Sequence, residues 1–201
     1  MSITQMNCSV IILAAGRSNR MGKAKFALPF SVNKTFLEEI IHQYHTFGCK
    51  QIIIVLNEKG QDYIKNHRFI FPDNTLLITN KYLERGRFYS IKLGVQSIIS
   101  ENTPVFIHNI DNPFVNHKVL QKLLSNNDSG YASPAYQDKG GHPILISKHI
   151  AQQIFLDKEN NIVLSEFLKK FKRKRIEVDD KNILVNINTP EDYQKWESEL
   201  K

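Results

Sequence analysis

Short apolar runs bounded by turn residues alternate with helix-patterned segments. That alternation constrains the fold more than any other feature of the chain. Residues 9–14 (SVIILA) and 51–56 (QIIIVL) are too short for buried helices and read as strands covered on both faces. Residues 75–79 and 104–108 read as two more strands. Helix patterns fall at 36–47, 62–67 and 88–100. Thr35 and Glu38 stand at capping-box spacing before the first of these, and Gly48 stops it. Further along come a helix at 116–125 and paired strands at 131–136 and 142–147 around Gly140 and Gly141. Helices at 149–155 and 162–171, a last strand at 184–187 and a helix opened by Pro190 complete the chain. Strands alternating with helices over short connections predict an α/β fold, a mostly parallel sheet flanked by helices. With 201 residues, 41% of them hydrophobic, the chain suits a single domain over 1–201. Such sheets bind ligands beyond the carboxyl ends of their strands. Three segments fall there: 15–25, Asp111, and the Asn186/Asn188 pair.

Charge narrows the class of ligand. Lys and Arg number 27 against 20 Asp and Glu, a net charge of +7. The excess favours an anionic partner: a nucleotide, a nucleic acid, a membrane surface or a phosphorylated metabolite. Cys8 and Cys49 are too few for a disulfide scaffold and read as free thiols in a reducing cytoplasm. No apolar run reaches the ~20 residues of a membrane span, and residues 1–7 lack a signal peptide's basic start and apolar centre. The expectation is a cytoplasmic protein with no membrane partner.

The segment 13–25 (LAAGRSNRMGKAK) carries the most chemistry. It follows a buried strand and is dense in small residues and cations. Gly and Ala let backbone N–H groups come close to a phosphate. Ser18 can donate a hydrogen bond, Arg20 can grip phosphate oxygens with two donors, and Lys25 supplies a point charge. A Walker A loop is excluded by spacing: five residues separate Gly16 from Gly22, and Ala24 follows Lys23. The dinucleotide pattern GxGxxG is absent as well. An ordinary basic surface loop is the competing reading.

Other features are weaker. Asp111, just past a strand end, can hold Mg²⁺, or it can merely build a turn before Pro113. Asn188 or Thr189 can cap the helix at Pro190. His42 and His45 share a helix face without a third ligand nearby and read as polar surface. The run KKFKRKR at 169–175 reads as a solvated face or a docking surface. No nucleic-acid motif accompanies it, so nucleic acid is not expected as a partner.

The stretch 13–25 resembles LxAGxSxRMGxxK, the signature of the MobA-like nucleotidyltransferases, which include the molybdopterin guanylyl- and cytidylyltransferases. Leu13, Ala15, Gly16, Ser18, Arg20, Met21, Gly22 and Lys25 match in place, and Leu28-Pro29 continues the pattern. Asp111-Asn112-Pro113 is similar to the family's Gly-Asp-x-Pro, with Ile110 where a small residue is usual. Asn188-Thr189-Pro190-Glu191-Asp192 is similar to its closing motif. Asn57, Asn80, Gly86 and Ser90 match weaker positions, with Arg87-Phe88-Tyr89 departing from the family's Met-Ser-Ser. Gly141-His142-Pro143 looks like an acceptor-side motif.

The resemblance implies a Rossmann-like nucleotide-diphospho-sugar transferase fold. It implies a nucleotide-binding half at about 7–113 and an acceptor-binding half at about 114–201. It implies an enzyme that moves an NMP onto a phosphorylated acceptor such as molybdopterin and releases pyrophosphate. Arg20, Lys25 and Asp111 would be catalytic. Leu13, Ala14, Ala15, Gly16, Ser18, Asn57, Asn80 and Ser90 would join them in binding nucleotide. Asp111 and Asn188 would ligate Mg²⁺, with Mn²⁺ as an alternative, and Gly141 and His142 would meet the acceptor. Ala15 points to CTP, as in the family's cytidylyl members, over GTP. A sugar- or polyol-phosphate nucleotidyltransferase is the alternative enzyme. A non-enzymatic nucleotide-binding protein docked on a molybdoenzyme is the alternative of another class.

Overall fold

The computed structural model describes residues 4–98, 102–128, 130–159 and 162–199. Its strands are β1 (Ser9–Leu13), β2 (Pro29–Ser31), β3 (Lys34–Thr35), β4 (Ile52–Leu56) and β5 (Thr75–Thr79) in the first half. β6 (Val105–Asn109), β7 (Tyr131–Tyr136), β8 (Lys139–Gly140), β9 (Ile144–Ile146) and β10 (Arg173–Glu177) follow. The helices are α1 (Phe36–Phe47), α2 (Glu58–Asn66), α3 (Gly86–Ile98), α4 (His117–Leu124), α5 (Lys148–Leu156), α6 (Leu164–Leu168) and α7 (Pro190–Glu199). The expected end of α3 at Ser100 lies outside the described residues.

One sheet runs in the order β10-β7-β9-β6-β1-β4-β5, with β8 paired to β7 and β2-β3 forming a separate hairpin. β1 is parallel to both β4 and β6, and β4 to β5. β9 runs antiparallel between β6 and β7. The chain steps outward from β1 to β5, then crosses back to place β6 on β1's other side. The strand order therefore reverses between β1 and β6, where α/β sheets open a crevice.

The wholly apolar strands are covered on both faces, and alternation sorts their side chains. Val10, Ile12, Ile52 and Ile54 join one core with α1, α2, α4 and α7. Ile11, Leu13, Ile53 and Val55 join the other with α3, α5 and α6. Ile52, Ile53 and Ile54 are fully enclosed, and each such side chain contributes roughly 1.5–3 kcal/mol. Gly94 lets α3 lie close on β1, because a Cβ there would come within 2.6 Å of Ile11. The capping box of α1 forms as the spacing predicts. Thr35 Oγ1 accepts from Glu38 N–H, and the Glu38 carboxylate accepts from Thr35 N–H at 2.8 Å.

Two expectations are corrected. Residues 184–187 are not a strand. Lys181–Leu184 is a 3₁₀ turn capped by Asp180, and the chain then touches the sheet region through one bond, Ile187 N–H to Asp111 O at 2.7 Å. The carbonyls of Asn182 and Ile183 are taken by the Asn112 amide and by His142 N–H, so no ladder can form. Conversely, the helix expected over 162–171 closes at Leu168, and part of the basic run becomes β10, an edge strand. Its residues are mostly exposed, so no apolar alternation marks it. Cations on an edge also discourage pairing with another chain. Cys8 and Cys49 are free and buried, with sulfurs 3.5 Å apart. Among the described residues, no helix is long and apolar enough to cross a membrane.

Candidate active site

A cavity of about 400 Å³ opens at the β1/β6 crevice. One wall is the loop after β1, and the end of β6 supplies Asn109, Ile110 and Asp111. The first turn of α3 supplies Gly86, Arg87 and Ser90, and Asn188 enters from the segment before α7. Segments far apart in the chain thus converge on one space.

The loop is held by its own residues. Asn57 caps α2 by accepting from Gly60 N–H at 2.8 Å and donates to Ala15 O at 3.1 Å, tying the loop's start to β4's end. Ser18 takes a left-handed conformation (φ 51°), uncommon for a residue with a Cβ. Its Oγ accepts from Lys25 N–H at 3.3 Å. Met21 is buried in the first core and anchors the middle of the loop.

Lys25 lies at the centre. Its Nζ donates to Asn188 Oδ1 at 2.7 Å and forms an ion pair with Asp111 Oδ2 at 3.7 Å. Burial lowers its pKa most and the charges of Arg20 and Arg87 add to that, while Asp111 opposes them. Asp111 Oδ1 is buried with no hydrogen-bond partner. Asn188 is delivered by α7, which docks through aromatic contacts. Trp196 stacks on Phe30 at 5.4 Å and meets Phe36 edge-on at 5.4 Å. Thr189 and Asp192 cap α7 between themselves: Thr189 N–H donates to the Asp192 carboxylate and Asp192 N–H to Thr189 Oγ1. The Asn188 amide oxygen is therefore free to reach Lys25. Asn186 turns away and donates to Leu184 O at 3.2 Å.

The other expected residues divide. Leu13, Ala15, Gly16, Ser18, Arg20, Asn80 and Ser90 line the cavity, and Asn80 Nδ2 donates to Ser90 Oγ at 2.9 Å. Ala14 and Asn57 do not line it. Ala14 is packed in the core, and Asn57 borders an adjoining groove. His142 sits behind the rim, its Nε2 3.4 Å from Asn109 Nδ2 and its Nδ1 buried without a partner. Burial, the main cause, lowers its pKa from the ordinary 6.5, while the Asp111 charge opposes the shift. Gly141 is packed against the Ile183 carbonyl, which leaves no room for a Cβ. His108, at the end of β6, is structural. Burial pushes its pKa down to about 4, and it bridges Tyr44 OH (3.0 Å) and Asn112 O (2.7 Å).

Arg17, Asn19, Leu83, Arg87 and Asn109 also line the cavity and were missed in sequence. Arg87 did carry a signal, because a cation in a helix's first turn opposes the helix dipole and calls for a reason. Among the described residues, neither Arg17, Arg20 nor Arg87 has a carboxylate within 4.0 Å. The cavity therefore sets four cations against one carboxylate and is electrostatically suited to a polyanion.

Comparison with known proteins identifies the family. The chain is 29% identical to the molybdenum cofactor cytidylyltransferase of Escherichia coli K12 over 183 residues, covering 91% of this chain and 92% of that one. It is 27% identical to a molybdenum cofactor guanylyltransferase of Campylobacter jejuni, over the full length of both. The crystal structure of Rv0371c from Mycobacterium tuberculosis superposes with a TM-score of 0.80 at 22% identity, covering 96% of this chain and 97% of that one. At that identity the likeness shows a shared fold. The family model of the MobA-like NTP transferase domain matches residues 10–171, most of the chain, and the protein belongs to that family.

Proposed function

We propose that the cavity binds a nucleoside triphosphate with Mg²⁺ and transfers its nucleotidyl group to a phosphorylated acceptor, with CTP as donor and a molybdopterin-type phosphate as acceptor. The observation that carries this is the meeting of Lys25, Asp111 and Asn188, with Asp111 Oδ1 buried and unpartnered. An orphaned buried carboxylate oxygen beside an amide oxygen is an all-oxygen donor set of the kind hard cations take. Asp111 and Asn188 would hold the Mg²⁺, which would neutralise phosphate charge when bound. Lys25 Nζ already contacts Asn188 Oδ1 and Asp111 Oδ2, so it must exchange Asn188 for phosphate when substrate arrives. Asn188 also lets the acceptor half, 114–201, reach the nucleotide half, 7–113. CTP is favoured by Ala15 and by the identity to a cytidylyltransferase.

In this reading Arg20 holds the β- and γ-phosphates and Lys25 the α-phosphate. An acceptor phosphate oxygen attacks the α-phosphorus in line, the bond to the pyrophosphate oxygen breaks, and pyrophosphate leaves with the electron pair. A phosphate nucleophile is already anionic, so no base is needed. Rate comes from alignment and charge placement.

A thermal-shift panel of the four NTPs, each with Mg²⁺, tests nucleotide binding. At a hundred times Kd a ligand adds about 2.7 kcal/mol, roughly 5–10 °C for a chain of this size. CTP is expected to give the largest shift. A larger shift with GTP would reassign the base, and no shift with any NTP would overturn the proposal.

A further inference from the structure

Arg87 lies in the cavity but is absent from every motif that identifies the loop. It occupies the first turn of α3, where a positive charge meets the positive end of the helix dipole and no acidic residue offsets it. The side chain is exposed, lines the cavity, and has no hydrogen-bond or carboxylate partner among the described residues. Its charge acts on Lys25 and also on His142, whereas that of Arg20 is felt by Lys25. An unpaired cation that works against its own helix and its neighbouring lysine is unfavourable in the empty protein. Anion binding would offset that cost.

Two anions must meet in the proposed reaction, a triphosphate and an acceptor phosphate, and they repel each other. Arg17, Arg20 and Lys25 reach the cavity from the β1 loop, where the triphosphate would lie. Arg87 enters from a different wall, within electrostatic reach of His142, itself beside Asn109. We propose that Arg87 binds the acceptor's phosphate group and holds the attacking oxygen against the nucleotide. A guanidinium suits this task, because it can grip two phosphate oxygens at once. The proposal rests on the nucleotidyl-transfer reading above.

The test uses the full chain with Arg87→Ala and Arg87→Lys. Each protein is saturated with α,β-methylene-CTP and Mg²⁺, and inorganic phosphate is then titrated by calorimetry as the acceptor probe. Wild type is expected to bind phosphate on top of the analogue. Arg87→Ala should weaken phosphate about tenfold or more, with analogue affinity held within about threefold, and Arg87→Lys should fall between. The Tm of ligand-free Arg87→Ala should equal or exceed that of wild type, since an unfavourable charge has gone; a structural role would lower it. Unchanged phosphate binding in Arg87→Ala, no phosphate binding in wild type, or equal loss of analogue and phosphate would each overturn the assignment while leaving nucleotide binding intact. A wild type that binds no analogue overturns the nucleotide reading and this proposal with it.

Discussion

Replacing Lys25 by alanine is expected to lower turnover by about a hundredfold to a thousandfold, or roughly 3–4 kcal/mol of barrier. The ammonium touches both Asn188 (2.7 Å) and Asp111 (3.7 Å). It lies where negative charge would build as the α-phosphorus is attacked. Its surroundings oppose its charge: burial and two arginines lower its pKa, and Asp111 alone raises it. A lysine held against that opposition is placed for what it does to substrate. Lys25→Arg should recover little, because a planar fork cannot replace a point charge between two oxygens. The check is steady-state kinetics beside a melting curve of each variant. Wild-type kcat in Lys25→Ala would remove Lys25 from the chemistry.

Asp111→Asn is expected to cost about a hundredfold in turnover or more and to abolish the response of rate to Mg²⁺ concentration. The substitution keeps the side chain's size and one oxygen but removes the charge. It also removes the carboxylate that holds the Lys25 pKa up, so that pKa should fall further. Two faults then combine: no carboxylate for the metal and a weaker cation for the phosphate. Rate measured against Mg²⁺ separates them, because only the first changes the metal dependence. An Asp111→Asn enzyme with wild-type rate and an unaltered Mg²⁺ response would show that Asp111 is merely a turn residue.

Much of this arrangement was legible in sequence, and the physical reason is local. β1, β4 and β6 announce themselves because strands covered on both faces need mostly apolar runs, as in IIIVL of β4. α1 is bounded by a capping box and a left-handed Gly48 (φ 93°), each local chemistry. The loop was readable because small residues, a serine and cations follow a strand end, and Lys25 and Asp111 do meet there. What failed depended on partners elsewhere. β10 is held by backbone bonds to β7, which no side-chain pattern records. Residues 184–187 look strand-like, but the carbonyls just before them serve Asn112 and His142. Arg87 stands out as a cation at a helix start, but that it faces the cavity depends on where α3 packs.

The central claim is transfer at the α-phosphorus, and isotope labelling tests it most directly. Wild-type protein is given Mg²⁺, molybdopterin and CTP labelled with ³²P at either the α or the γ position. The account predicts that α-label moves onto the acceptor while γ-label leaves in pyrophosphate. Label reaching the acceptor from the γ position, or γ-label released as orthophosphate with no α-transfer from any of the four NTPs, would contradict it.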